Sequence, residues 1–330
     1  MAAMRDMVRV AALGLFTGAL LILAWHGPRP VLRELQFAAS ILVLTLMTRS
    51  MSAGSGVSAL GLGGGAVVLL VVGTGHLLTA AGLDTTGGVV NWGLIPVLEE
   101  AFKLAPVGLL MLLHQRRERL SPNPSDLLML GCLAGAGFAL AENSLLVENS
   151  AGVARDMARR YGPHLSGWYL LPGAWGAAGY IGHAAATGFI AGGYGLGLAL
   201  RGRLKAWWWA VPAACAAWIV LEHMLANLYA GTGAAGALLL GNGRLTPWLF
   251  VLLALAIVAL DVRRHYAVLA ESRRLRRRVA MTRAALLRTD APVPAFRTNA
   301  ARLYFSQMRI VNATAWHVHR HPPPGGEKRP

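Results

Sequence analysis

Long apolar stretches separated by short, often basic, loops run through most of the chain. A helix needs about 20 mostly apolar residues to cross a hydrocarbon layer ~30 Å thick, because it rises ~1.5 Å per residue. Eight stretches read as spans, at about 10–26, 35–49, 57–81, 89–113, 126–148, 172–199, 206–230 and 245–262. They predict an all-α fold, a polytopic transmembrane helix bundle of about eight spans. Beyond residue 262 the pattern changes. Over 263–287, Leu, Val and Ala interleave with arginines, as in an interfacial amphipathic helix, and Pro292, Pro294 and the closing Pro322-Pro323-Pro324-Gly325-Gly326 read as loosely ordered. The chain therefore divides into a transmembrane domain, 1–262, with its chemistry concentrated in 89–230, and a basic tail, 263–330.

Composition agrees with this pattern. Of 330 residues, 55% are hydrophobic and 14% charged, and the mean hydropathy is +0.49. That is more apolar length than a single soluble core requires. Short cytoplasmic loops retain an excess of Lys and Arg. With eight spans, Arg5, Arg9, Arg49, Arg116, Arg117, Arg119, Arg201, Arg203 and Lys205 fall on one side together with the tail. Both termini are expected in the cytoplasm, with the chain integral to the cell membrane. The exceptions include Arg155, Arg159 and Arg160, in a 149–171 loop long enough for its own small amphipathic helix. The first apolar segment lacks a small-x-small cleavage site after Trp25 and reads as an uncleaved anchor.

The formal charge of +16 changes meaning once it is located: residues 263–330 hold 15 Lys and Arg against 3 Asp and Glu. Such a run beside the last span attracts anionic lipid head groups at about 1 kcal/mol per basic residue. Nucleic acid is not an expected partner. Cys132 and Cys215 sit inside predicted spans, so neither a disulfide framework nor a cysteine zinc site is indicated. Asn312-Ala313-Thr314 matches a glycosylation pattern, but a cytoplasmic tail does not meet that machinery.

Ionisable residues at bilayer depth cost several kcal/mol and are functional candidates by default. Here they fall on four consecutive predicted spans: Glu99, Glu100 and Lys103; Glu142 with Asn143; His183; and Glu222, His223 and Asn227. Lys103 lies four residues after Glu99 and three after Glu100, within helical reach of both. It can neutralise one carboxylate and leave the other to move a proton. His223 and Asn227, one turn apart, can hold a carbonyl and its developing oxyanion. Phe138 shares a face with Glu142. Glu222 points about 100° away from His223 and stays outside the site. Each group also has a plainer reading: a buried ion pair for the glutamates and Lys103, core histidines for His183 and His223. Trp207-Trp208-Trp209 reads as an interfacial aromatic belt, and Gly135 and Gly137 as room beside the site, open even to a substrate helix.

Taken in order, these motifs resemble the PrsW family of intramembrane peptidases, distantly similar to CAAX prenyl endopeptidases. Glu99-Glu100-x-x-Lys103 looks like its EExxK motif, Phe138-x-x-x-Glu142-Asn143 like FxxxEN, His183 with Gly188 like its first histidine motif, and His223-x-x-x-Asn227 like HxxxN. The resemblance covers roughly 89–230 and leaves the tail outside. It implies an intramembrane endopeptidase acting on membrane-anchored proteins, with Glu99, Glu100, Glu142, His183, His223 and Asn227 in the catalytic set and Lys103, Phe138 and Asn143 supporting them. Two chemistries fit. In one, Glu142, His183 and His223 bind Zn²⁺ and Glu99 or Glu100 takes a proton from bound water, whose pKa the metal lowers to about 7. In the other, which is metal-free, Glu100 and a histidine activate water while His223 and Asn227 stabilise the oxyanion. The metal-free form is preferred, because two histidines on different helices lack the H-x-x-x-H signature of a zincin. The competing functions are a secondary or proton-coupled transporter that uses the same cluster as a relay, a prenyl-protein endopeptidase, and a non-catalytic scaffold.

Overall fold

A computed structural model describes residues 28–86, 88–118, 122–149, 181–232, 245–271, 273–287 and 303–314, and every regular element in them is helical. Helix α1 spans Pro28–Leu44. Helix α2 spans Ala53–Ala80 and contains a π segment at Gly63–Val67. Helix α3 opens as a π segment at Val90–Leu94 and continues as Ile95–Glu118. Helices α4, Pro124–Asn149, and α5, His183–Leu204, follow. A 3-10 turn at Lys205–Trp209 leads into α6, Ala210–Thr232. Helices α7, Leu245–Glu271, and α8, Arg273–Leu287, precede the last one, α9, at residues 303–314. The span predicted at 10–26 and the small helix predicted in the 149–171 loop lie outside the described residues.

Helix α4 is the axis of the bundle. It is apolar on every side, as a helix enclosed by others must be, and each residue from Pro122 to Ala141 is buried. Small residues set how closely its neighbours approach. A Cβ at Gly135 would collide with the His183 carbonyl, and one at Gly137 with the Leu60 carbonyl. The room expected at these two glycines is therefore filled by α5 and α2, not held open for a substrate. Both cysteines are free, and each packs against a glycine of α5: Cys132 against Gly188 and Cys215 against Gly193.

By length and apolarity, four stretches can cross a membrane: Ala53–Ala80, Pro124–Glu142, His183–Leu228 and Leu245–Ala270. The chain is an integral membrane protein. The third stretch, 46 residues long, folds back at Lys205, whose φ of 51° lies in the left-handed region. Its limbs, α5 and α6, pack antiparallel, with Gly193 against Cys215 and the His183 and His223 rings 5.3 Å apart. At the turn, Trp207 and Trp209 are exposed, as a belt anchor requires.

At the same end of the bundle as this turn, two buried carboxylates tie down the first turn of α4. Asp126 accepts from the backbone N–H groups of Ser50 at 2.9 Å, Met51 at 2.7 Å and Asn123 at 3.0 Å, and from the Ser50 hydroxyl. Asp261 of α7 accepts from the Ser125 N–H at 2.9 Å and its hydroxyl at 2.7 Å. Helix α9 docks beside this clamp. The Asn312 amide donates to the Met47 carbonyl at 2.9 Å and the Arg49 carbonyl at 3.0 Å, and its oxygen meets His265 Nδ1 at 2.5 Å. The tail expected to be loosely ordered beyond 287 thus contains a packed helix, and Asn312, 4% exposed, has no room for a glycan.

Candidate active site

Helix α3 carries Glu99, Glu100 and Lys103 on an apolar segment, so the three must satisfy one another or groups on neighbouring helices. They do both. Lys103 Nζ lies 3.0 Å from Glu100 Oε1 and 3.3 Å from Glu99 Oε2. It also lies 2.6 Å from His183 Nδ1 and 4.2 Å from the centre of the Phe138 ring, and it is fully buried. The ammonium therefore holds both glutamates, where helical spacing suggested that one would be left free.

Two antiparallel helices bring in the imidazoles. His183 opens α5 and sits edge-on to Phe138 of α4, their ring centres 5.0 Å apart. Its Nε2 lies 2.7 Å from Glu142 Oε2, one α4 turn beyond Phe138, although this oxygen lacks the alignment of a hydrogen bond. His223 of α6 lies across the cluster, with Nδ1 3.0 Å from Glu100 Oε1 and Nε2 3.8 Å from Glu99 Oε2. Glu99, Glu100, Lys103, Phe138, Glu142, His183 and His223 are thus gathered from four helices around one point.

Three residues named from the sequence stand differently. Asn227 donates its amide to the Asn91 backbone carbonyl at 3.3 Å. The Asn143 side chain lies outside the described residues. Glu142 is not in the group that closes into a metal-sized cluster: Glu99, His183 and His223, all buried, each offer one ligand atom, and these atoms lie within 4.8 Å of one another. One glutamate and two histidines form a donor set that suits Zn²⁺. The Glu100 contact on Nδ1 orients His223 as the carboxylates behind metal-binding histidines do. Charge points the same way. Among the described residues, three carboxylates here face one ammonium, an arrangement with which a divalent cation is compatible. The donor set could hold a divalent metal, the alternative to the metal-free form preferred from the sequence.

Sequence reasoning missed one feature near this cluster and kept one buried acid out of it. The Asn91 acceptor is a backbone group, signalled only by Pro96 five residues later. Glu222, fully buried, was set aside by helical angle, and it faces Thr246 on α7, away from the cluster.

A membrane protein that is helical throughout its described residues, with carboxylates and imidazoles gathered in a buried cluster that could hold a metal, has the equipment of an intramembrane hydrolase. The profile described as PrsW family intramembrane metalloprotease matches residues 51–260. The chain belongs to this family, and it is an intramembrane protease. No curated protein and no solved structure matches it.

Proposed function

We propose that the protein cleaves membrane-anchored protein substrates at the Glu99–His183–His223 cluster with a divalent metal, Zn²⁺ by donor type, and that Glu142 carries the proton. The observation that supports this most is the closure of those three donors within 4.8 Å inside a buried, negatively charged site. A metal held there supplies Lewis acidity that lowers the pKa of water and polarises the scissile carbonyl. Everything else falls to side chains. Lys103 fixes Glu99 and Glu100, and Glu100 in turn orients His223. Glu142 is the carboxylate best placed to exchange protons: its side chain is 24% exposed, against 8% for Glu99 and 2% for Glu100. It takes a proton from the attacking water as the C–O bond forms, then delivers that proton to the amide nitrogen as the C–N bond breaks. This assigns the base to Glu142 instead of Glu99 or Glu100, because both of those are held by Lys103.

The substrate must present an extended backbone, since a helix hides its carbonyls in internal hydrogen bonds. Eight spans with both termini in the cytoplasm, in the cell membrane, remain the topology that the basic loops favour. In that topology the arginines of α8 face anionic lipid head groups. The carrier reading gains nothing from the family match. Co-expression with epitope-tagged single-span membrane proteins tests the proposal. Wild type should cut a subset that Glu142→Gln and His223→Ala leave intact, and purified wild type should hold zinc that His223→Ala loses. Equal cleavage by all three would overturn the site.

A further inference from the structure

We propose that Asn227 is a positioning residue: it holds α6 against α3 by filling a backbone acceptor that Pro96 leaves without its main-chain donor. This rests on the reading of Glu99, Glu100, His183 and His223 as the hydrolytic site. In the π segment Val90–Leu94 the Ile95 N–H reaches back five residues to the Val90 carbonyl. In that register the next carbonyl, that of Asn91, would accept from residue 96, and Pro96 has no N–H. A carbonyl partly shielded from water and without a donor is costly, so a side chain that supplies one stabilises the segment. Asn227 does, with Nδ2 3.3 Å from the Asn91 oxygen.

The placement makes this bond a spacer for the site. Asn227 lies one turn beyond His223 on α6, and Asn91 lies about two turns before Glu99 on α3. Between them the helices are in contact: Gly93 is buried, and a Cβ there would meet Met224 Cε at an ordinary 3.8 Å. The Asn227 bond therefore sets the separation across which Glu99 and Glu100 face His223. The bond uses one of the two N–H groups of the Asn227 amide.

The test is a double-mutant cycle in the full chain. Wild type, Asn227→Ala, Pro96→Ala and the double variant are compared by thermal unfolding in detergent and by cleavage of a tagged single-span reporter that wild type cuts. Pro96→Ala restores the missing N–H, and Pro96→Ser does the same should the alanine variant fail to accumulate. We expect Asn227→Ala to lower the unfolding temperature and to slow cleavage about tenfold, the effect of one unsatisfied buried group. In the Pro96→Ala background the same change should cost little in either measurement. Equal damage in both backgrounds would overturn the proposal and return Asn227 to direct contact with substrate. Should Glu142→Gln cleave like wild type, the site reading fails by itself, and the unfolding cycle still decides the Asn227–Pro96 coupling.

Discussion

His223 Nδ1 stands 3.0 Å from Glu100 Oε1 while Nε2 of the same ring looks toward Glu99 Oε2 at 3.8 Å. The near contact is a hydrogen bond in which the ring N–H donates to the carboxylate. It fixes the tautomer and points the Nε2 lone pair into the cluster. The 3.8 Å gap is too long for a direct hydrogen bond and close to the spacing of two ligands on one metal ion. Glu100 is therefore placed to orient His223.

Replacing Glu100 should separate orientation from folding. Glu100→Ala leaves the His223 ring without its acceptor, and cleavage and metal retention should both fall by about 10-fold to 100-fold, the usual loss for such a partner. Glu100→Gln keeps an acceptor of the same shape and should fall less. Metal analysis of the purified variants beside reporter cleavage checks this; full metal retention by Glu100→Ala would remove the orienting role.

Lys103 is the only cation in contact with the cluster among the described residues, and it touches Glu99, Glu100, His183 and Phe138 at once. Removing one partner of a buried ion pair leaves the other charges uncompensated, at a cost of about 3 kcal/mol or more. Lys103→Met should therefore lower the unfolding temperature sharply. Adding Glu100→Gln should recover part of the loss, because a neutral amide needs no counter-charge. Additive losses in the double variant would show that Lys103 stabilises by packing alone.

Glycines in this bundle are not equivalent. A methyl group at Gly135 meets the His183 backbone, whereas one at Gly73 meets nothing within 4 Å. Gly135→Ala should push α5 away from α4, lower stability by about 1–3 kcal/mol as overpacking does, and abolish cleavage by displacing His183. Gly73→Ala should be neutral or stabilising by up to about 1 kcal/mol. Unfolding and cleavage measured on the pair check both.

The parts of this protein that could be read from its sequence are those that break a pattern. A glutamate pair, a lysine and two histidines inside apolar helices stand out because bilayer depth leaves them no cheap alternative. Helical spacing then predicted correctly that Lys103 reaches Glu99 and Glu100. Spacing does not say how one helix is rotated against another. Which carboxylates face the two histidines therefore depends on how α3, α4 and α5 pack, and on the glycines that let them. Backbone acceptors are invisible in a sequence, so the partner of Asn227 was missed although Pro96 marked its place. Helix α9 was hidden for a different reason: the prolines around it suggest disorder, and its anchor is a polar residue, Asn312, where hydrophobic anchors are the ones that patterns reveal.

That anchor can be tested directly. Asn312 serves three partners, the Met47 and Arg49 carbonyls and His265, in a buried position. Asn312→Ala strands all of them, and each unmet buried group costs about 1–3 kcal/mol unless water reaches it. One relief is for α9 to detach, giving up as well the burial of Met308, Val311 and Ala313. Detachment exposes Arg309, a trypsin site within α9. Limited trypsinolysis of purified protein should therefore cut at Arg309 much faster in Asn312→Ala than in wild type. The clamp built on Asp126 and Asp261 does not involve Asn312, so the helices from α2 to α7 should stay intact in both proteins. Equal cutting at Arg309 in the two proteins would mean that Asn312 does not hold the helix in place.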